Sequence, residues 1–379
     1  MKVLGLMSGT SADGVDAVLA SFAGPARRPR WRLLRSAFHP YPEALRRRLI
    51  QAGQGEPLAA AAWLELAEAV TEAQAEAARA CDPGAAAVLV GCHGQTVWHR
   101  PPEPARQGLS WQLLLAPLLA ERLGRAVIHD FRAADLALGG QGAPLVPAAD
   151  AALLGGTGGW RALLNLGGIA NLTLLPPRSG PARRASVLGW DCGPANTLLD
   201  LAVQRFSNGR LSFDADGAWA ARGAVVEALL QHWLQEPYFQ QRPPKSTGRE
   251  LFGAADLERR LADLERFHPG ADPADALASL TALTAAVVAQ DLRCGPAPLE
   301  LLVAGGGSRN ATLMTQLRRR CRGMSVRDLA EFGIADAQRE ALAFALLAWW
   351  HQRRHPGSLP AVTGARSAAV LGMRADPPG

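Results

Sequence analysis

Apolar and polar positions along the chain follow two rhythms: short apolar runs of strand length, and longer stretches with apolar residues at helical spacing. Lys2 to Met7, Val15 to Phe22 and Trp31 to Phe38 predict three strands, the first two joined by the turn Ser8-Gly9-Thr10-Ser11-Ala12-Asp13-Gly14. Helices are predicted over Pro42 to Ala52 and Leu58 to Ala80, then a short strand over Ala86 to Val90. A helix over Trp111 to Leu123 and a strand over Ala126 to Ile128 follow. A glycine-rich break, Gly139 to Pro144, precedes a helix over Val146 to Leu154.

The pattern then comes round again. Ala162 to Leu166 and Ala170 to Leu175 predict strands around the tight turn Gly167-Gly168, and Ala185 to Trp190 predicts a third strand with a helix after Pro194. The stretch from Gly217 to Pro296 is largely helical, with a loop around Pro243 to Gly248. Leu299 to Ala304 predicts a strand entering Gly305-Gly306-Gly307, followed by a helix to Arg320, a strand over Met324 to Asp328 and a long helix over Ala337 to Arg354. The elements repeat while the residues do not, which predicts a structural duplication: two α/β domains with a cleft between them and their turns facing it. Every glycine-rich turn follows a strand, where open α/β sheets bind ligands.

Composition narrows the classes. A chain of 379 residues is long enough for two well-buried cores, and 48% hydrophobic with 20% charged residues excludes a disordered one. The net charge of +6 does not predict a nucleic-acid partner. Lys2 and Lys245 are the only lysines, and the arginine clusters at 46–48 and 318–320 lie on predicted helices without interleaved aromatics. The five cysteines (Cys81, Cys92, Cys192, Cys294, Cys321) are scattered and form no close pair, so neither a disulfide framework nor a zinc site is expected. The first apolar run is broken at once by Ser8-Gly9-Thr10, unlike a signal peptide, and Ala341 to Trp350 is too short to span a bilayer. The expectation is a cytoplasmic protein with no membrane partner.

The candidate chemistry sits in the turns. No Walker-type phosphate loop and no dinucleotide-binding glycine fingerprint occurs, so any nucleotide is held differently. Asp191 stands at the end of a predicted strand, with Gly193-Pro194 turning the chain into a helix whose first N–H groups could hold an anion. The other reading is an N-cap aspartate in an ordinary strand-to-helix turn. In the first turn, Gly9 lets the backbone approach a phosphate, Thr10 and Ser11 donate, and Asp13 or Asp16 could hold Mg²⁺; Asp13-Gly14 is equally a hairpin turn pair. Gly305-Gly306-Gly307 leaves a patch free of side chains that suits a flat purine, unless it is a plain loop capped by Ser308 or Asn310. His93, His99 and His129 lack a carboxylate-rich partner pattern and read as structural rather than as metal ligands.

Taken in order, the motifs resemble one family. They are Met7 to Asp16, His93-Gly94-Gln95-Thr96, Asp130-Phe131-Arg132, Gly139 to Pro144, Asn165 to Asn171, Asp191 to Asn196, Pro244 to Glu250, and Gly305 to Gly307 with Asn310. Together they resemble the anhydro-N-acetylmuramic acid kinase family over nearly the whole chain. The resemblance implies an α/β fold of two duplicated actin-like (ribonuclease H-like) domains, the fold of actin, hexokinase and Hsp70. The first domain is expected over 1–140 plus 359–379, and the second over 141–358 with a helical insertion around 217–296.

The implied reaction uses ATP with Mg²⁺. The γ-phosphoryl passes to O6 of 1,6-anhydro-N-acetylmuramic acid while water opens the anhydro bridge at C1. By the same resemblance Asp191 is the base for that water. Gly9, Thr10, Ser11, Ala12, Asp13, Gly14, Val15 and Asp16 form the first phosphate loop, and Gly193 belongs to the second. Gly305, Gly306, Gly307 and Asn310 lie on the adenosine side, and Gln95, Thr96, Arg132 and Glu331 contact the sugar. Ser110-Trp111 departs from the family pattern at a sugar-side loop, and Cys192 replaces the commoner small hydroxyl residue. An ordinary N-acetylhexosamine 6-kinase and a non-catalytic ATP-switched actin-like protein stay open as alternatives, as does a homodimer.

Overall fold

The computed structural model describes residues 1–378 apart from Pro104, Thr157 and Arg249. Contacts divide the chain into two units, Met1–Leu154 with Ala337–Gly379, and Gly155–Asp336. The strands of the first unit are β1 (Lys2–Ser8), β2 (Gly14–Ala23), β3 (Arg30–Pro40), β4 (Leu89–Arg100), β5 (Leu109–Leu113) and β6 (Val127–His129). Those of the second are β7 (Arg161–Leu166), β8 (Ile169–Leu175), β9 (Leu188–Pro194), β10 (Glu300–Ala304) and β11 (Ser325–Asp328). The C-terminal strand β12 (Met373–Ala375) returns to the first sheet.

The two sheets share one topology. The first runs β12-β6-β4-β1-β2-β3 with β5 on β4; the second runs β11-β10-β7-β8-β9. In each, two antiparallel hairpins (β1-β2-β3; β7-β8-β9) are followed by two parallel strands (β4, β6; β10, β11) on the far side of the first strand. The fold is therefore two duplicated actin-like α/β units. Past its first residue β1 is buried along its whole length, and this is why it reads as a continuous apolar run rather than an alternating one.

Three expectations change. The predicted helix over Trp111 to Leu123 begins as strand β5, and helix resumes only at Ala116–Leu123; pairing with the long β4 and the Trp63–Trp111 ring contact at 4.6 Å override local helical spacing. Strand β9 runs on to Pro194, so Asp191 lies within the strand and the helix begins at Asn196. The domain boundaries expected at 140/141 and 358/359 fall at 154/155 and 336/337. The long helix Asp336–Gln352 packs on the first sheet, so tightly that a Cβ on Gly5 would sit 1.9 Å from the Ala341 carbonyl oxygen and one on Gly91 2.3 Å from that of Phe344. The helix Val146–Leu154 joins it there, with Asp150 accepting from Arg339 Nε at 3.1 Å.

The second unit's core is organised by the helix Pro273–Asp291, started by a capping box between Asp272 and Asp275. By length and composition the segment Pro273–Cys294 could cross a membrane, but 89% of its apolar window is buried inside the protein.

Candidate active site

Asp191 projects from the edge strand β9 and is half-buried. Its Oδ1 accepts from Asn171 Nδ2 at 2.8 Å on the neighbouring β8, and its Oδ2 accepts from Ser246 Oγ at 2.9 Å and the Thr247 N–H at 3.1 Å. The backbone is held too: Asp191 N–H donates to Lys245 O at 3.0 Å and Tyr238 Oη donates to Asp191 O at 2.8 Å. A carboxylate has about four lone-pair sites, so three donors orient it and leave room for one more hydrogen bond. The strap 245–247 thus clamps the carboxylate. Arg249, in the same motif, lies outside the described residues.

The helix start beside Asp191 is not an open anion cradle. The N–H groups of Ala195 and Thr197 donate to Gly168 O, at 3.0 and 3.1 Å, and that of Asn196 to Gly167 O at 3.1 Å. Those donors are spent inside the protein. Gly193 is a strand residue paired with Ala170, and a Cβ there would meet the Phe239 ring at 2.8 Å, so packing accounts for the glycine.

The turn after β10 divides into two kinds of glycine. Gly305 has φ +85° and a Cβ on it would approach Leu166 O to 2.7 Å, while one on Gly307 would meet Leu166 Cβ at 2.7 Å. A Cβ on Gly306 would find nothing closer than 3.8 Å. Gly306 also lines a cavity of about 560 Å³ together with Asn196, Asp200, Phe213, Asp216 and Asn310. Asn310 caps the following helix, its Oδ1 accepting from the Leu313 N–H at 2.9 Å, so the capping reading and the pocket-lining reading are both met.

In the first unit, Thr10, Ser11 and Asp13 of the β1–β2 turn are exposed, whereas Ala12 and Val15 are buried in the core and offer a ligand only their backbone. A Cβ on Gly9 would find nothing closer than Ser11 Oγ at 3.7 Å, and one on Gly14 would strike His39 O at 2.3 Å. Asp13 is paired with Arg46 at 3.0 Å. Asp16 is half-buried, and burial, reinforced by the charge of Glu340, raises its carboxyl to about 6.

Gln95 is buried, and its amide is fully used: Oε1 accepts from Ser8 Oγ at 2.8 Å and Nε2 donates to Gly9 O at 3.0 Å. It pins the β1–β2 turn rather than facing solvent. Thr96 Oγ1 accepts from Gln112 Nε2 at 3.1 Å, which also reaches Ser110 Oγ at 2.7 Å, so the departure at Ser110 is linked to Thr96 through Gln112. Arg132 is oriented by its neighbours, with Nη1 donating to Gly142 O at 2.7 Å and Nε and Nη2 donating to His93 Nε2 at 3.2 and 3.0 Å. His93 is buried with Nδ1 on Gly94 O at 2.9 Å; burial, with the Arg132 charge, lowers its pKa to about 3, so it is a neutral acceptor.

Glu331 is placed differently. It is exposed at the third position of a capping box with Asp328 and is paired with Arg327 at 2.9 Å, which together hold its pKa down. The acid that bears electrostatically on both Asp16 and Arg132 is Glu340. Glu340 and Asp291 carry no motif signal of their own, and Asn171 and Lys245 lie inside the motifs Asn165 to Asn171 and Pro244 to Glu250 without being singled out there. No cluster of three or more His, Cys, Asp or Glu residues able to hold a metal occurs among the described residues. Mg²⁺ is commonly held by one or two carboxylates plus phosphate oxygens, and Asp16 with Glu340 fits that donor set.

A duplicated actin-like fold carrying a clamped carboxylate and a glycine-lined cavity after a parallel strand defines the class of actin-like phosphotransferases. A profile of the anhydro-N-acetylmuramic acid kinase family matches residues 1–376. The chain is 65% identical over 382 residues to an anhydro-N-acetylmuramic acid kinase of Synechococcus sp. (strain CC9902), and 64% identical to one of Prochlorococcus marinus (strain MIT 9303), with 100% of both chains covered in each case. The chain belongs to the anhydro-N-acetylmuramic acid kinase family.

Proposed function

We propose that the chain is an ATP-dependent kinase that opens the 1,6-anhydro ring of 1,6-anhydro-N-acetylmuramic acid with water and phosphorylates O6. The products are N-acetylmuramic acid 6-phosphate and ADP, a cytoplasmic step in recovering cell-wall sugar. The observation that carries this reading is Asp191, a carboxylate aimed by Asn171, Ser246 and Thr247 with lone-pair capacity left over. Beside it Thr247 Oγ1 is buried without a hydrogen-bond partner among the described residues, a place for a water or a sugar hydroxyl to bind.

In this reading Asp191 takes a proton from water as the water oxygen attacks C1. The C1–O6 bond breaks, O6 takes the γ-phosphoryl, ADP leaves, and Asp191 later releases its proton to solvent. A positioned base contributes about 10²–10⁴-fold. Adenosine is assigned to the cavity beside Gly306, whose volume of about 560 Å³ is in the range of small-ligand sites. Phosphates are assigned to the backbone of the Gly9 turn, and the sugar to Arg132 and Thr96. Mg²⁺, held by Asp16 with Glu340, would neutralise charge on the phosphoryl oxygens.

The test is ADP release on 1,6-anhydro-N-acetylmuramic acid against N-acetylmuramic acid and N-acetylglucosamine, followed by mass spectrometry after turnover in ¹⁸O-water. Activity on the anhydrosugar with label at C1 is the expected result. Activity on the open sugars alone would make the protein an ordinary N-acetylhexosamine 6-kinase, and no turnover on any of them an ATP-switched protein.

A further inference from the structure

Behind Asp191 lies a buried polar cluster that the proposed reaction leaves unused. Asp291, at the end of the helix Pro273–Asp291, receives Lys245 Nζ on Oδ1 at 3.0 Å and Trp190 Nε1 on Oδ2 at 3.1 Å. The side chains of Lys245 and Asp291 are each 2% exposed. The Cys192 thiol is buried, and burial, reinforced by the Asp291 charge, raises its pKa well above the ordinary value. Lys245 Nζ further sits 4.9 Å from the centre of the Tyr238 ring, whose hydroxyl holds the Asp191 carbonyl.

The strand geometry gives this cluster a direction. Successive side chains of a strand point to opposite faces. Trp190 turns to Asp291, and Trp190 and Cys192 are both buried, so Asp191 between them turns the other way. On the other side of the cluster, Lys245 is the first residue of the strap whose next two residues clamp the Asp191 carboxylate. One carboxylate therefore anchors both halves of the clamp, the strand that carries Asp191 and the strap that holds it.

We propose that Asp291, through Lys245 and Trp190, is a positioning residue that sets the orientation of the Asp191 carboxylate. This rests on Asp191 being the base.

The experiment uses the full chain. Asp291→Asn leaves Lys245 buried without its counter-charge and can fail to fold, so it is paired with a double variant, Lys245→Met with Asp291→Leu, which removes both charges together. The double variant is expected to lose about 10- to 100-fold in kcat, the scale of a 1 Å misplacement, with the KM for ATP within about twofold of wild type. Amide hydrogen exchange is expected to quicken in peptides covering Asp191 and Thr247 and to stay unchanged over Gly305 to Gly307. Wild-type kcat in a folded double variant, or unchanged exchange at Asp191 and Thr247, overturns the proposal. If the double variant does not fold, Asp291→Glu, which keeps the charge and lengthens the side chain, is judged on the same two readouts. Asp191→Asn separates the two failures: normal turnover in that variant removes the base assignment, while the exchange pattern still reports on Asp291.

Discussion

Asp191 in the second unit and Asp16 in the first are both strand carboxylates next to a glycine-rich turn, and they are held in opposite ways. Asp191 is met by three donors from its own unit, so its direction is set before any substrate arrives. No hydrogen bond reaches the Asp16 carboxylate among the described residues; burial and the Glu340 charge raise it to about 6. The same functional group thus suits two tasks, because environment rather than residue type decides what a carboxylate does. A clamped carboxylate suits proton abstraction at a fixed point. One that is short of positive neighbours suits a cation brought in with a nucleotide.

The strongest break of this comparison is Asp191→Asn, expected to lower kcat by at least about 10²-fold with ATP affinity kept, in a steady-state assay with separate ATP titration. A near-normal rate would mean that the donors around it serve the fold alone. Next is His93→Phe, which keeps a ring but removes the acceptor for Arg132. We expect about a tenfold rise in the KM for the sugar, matching a charge-assisted hydrogen bond of about 1.4 kcal/mol, and a smaller change in kcat.

The glycine turn gives a sharper and smaller test. Gly306→Ala should leave Tm within about 2 °C and raise the KM for ATP several-fold, because only a ligand would meet the new methyl. Gly305→Ala should lower Tm by more than that, since φ +85° and the Leu166 carbonyl both oppose a side chain. Equal effects of the two substitutions on Tm would remove the argument that Gly306 is there for a ligand.

The smallest effect concerns pH. Asp16 holds its proton more tightly in the folded chain, at about 6, than an aspartate at its ordinary value of 3.8. Its stabilising share is therefore complete below 3.8 and lost as pH rises through about 6. The Tm of wild type relative to Asp16→Asn should fall across that window and level off above about pH 7. Added Mg²⁺ with ATP should steepen the fall of the KM for ATP as Asp16 ionises, and an identical pH course in Asp16→Asn would separate Asp16 from the cation.

The comparison also marks what was legible. The strand-turn-strand pattern around Ser8 to Gly14 and around Gly167-Gly168 can be seen from apolar runs broken by glycine, because both signals are local. Asp191 is visible as a carboxylate at a strand-to-helix junction, but whether the helix start was open could not be seen: the carbonyls that occupy it, at Gly167 and Gly168, lie in a different hairpin. Glu331 and Glu340 are nine residues apart in the chain, and only the capping box at Asp328 and the pairing with Arg327 show that Glu331 is spent locally. The strand β5 was hidden by helical spacing, since its pairing partner contributes the stabilisation.

By itself the amino-acid order determined the alternation of elements, their duplication, the positions of the turns and the family, all of which depend on periodicity and on residues close together in the chain. Tertiary structure alone decided that the helix Asp336–Gln352 returns to the first sheet, that Lys245 meets Asp291 across 46 residues, and that Trp190 reaches the same carboxylate across 101. The reason is physical. A buried polar group must find a partner wherever packing brings one, and nothing in its local sequence says which distant side chain that will be.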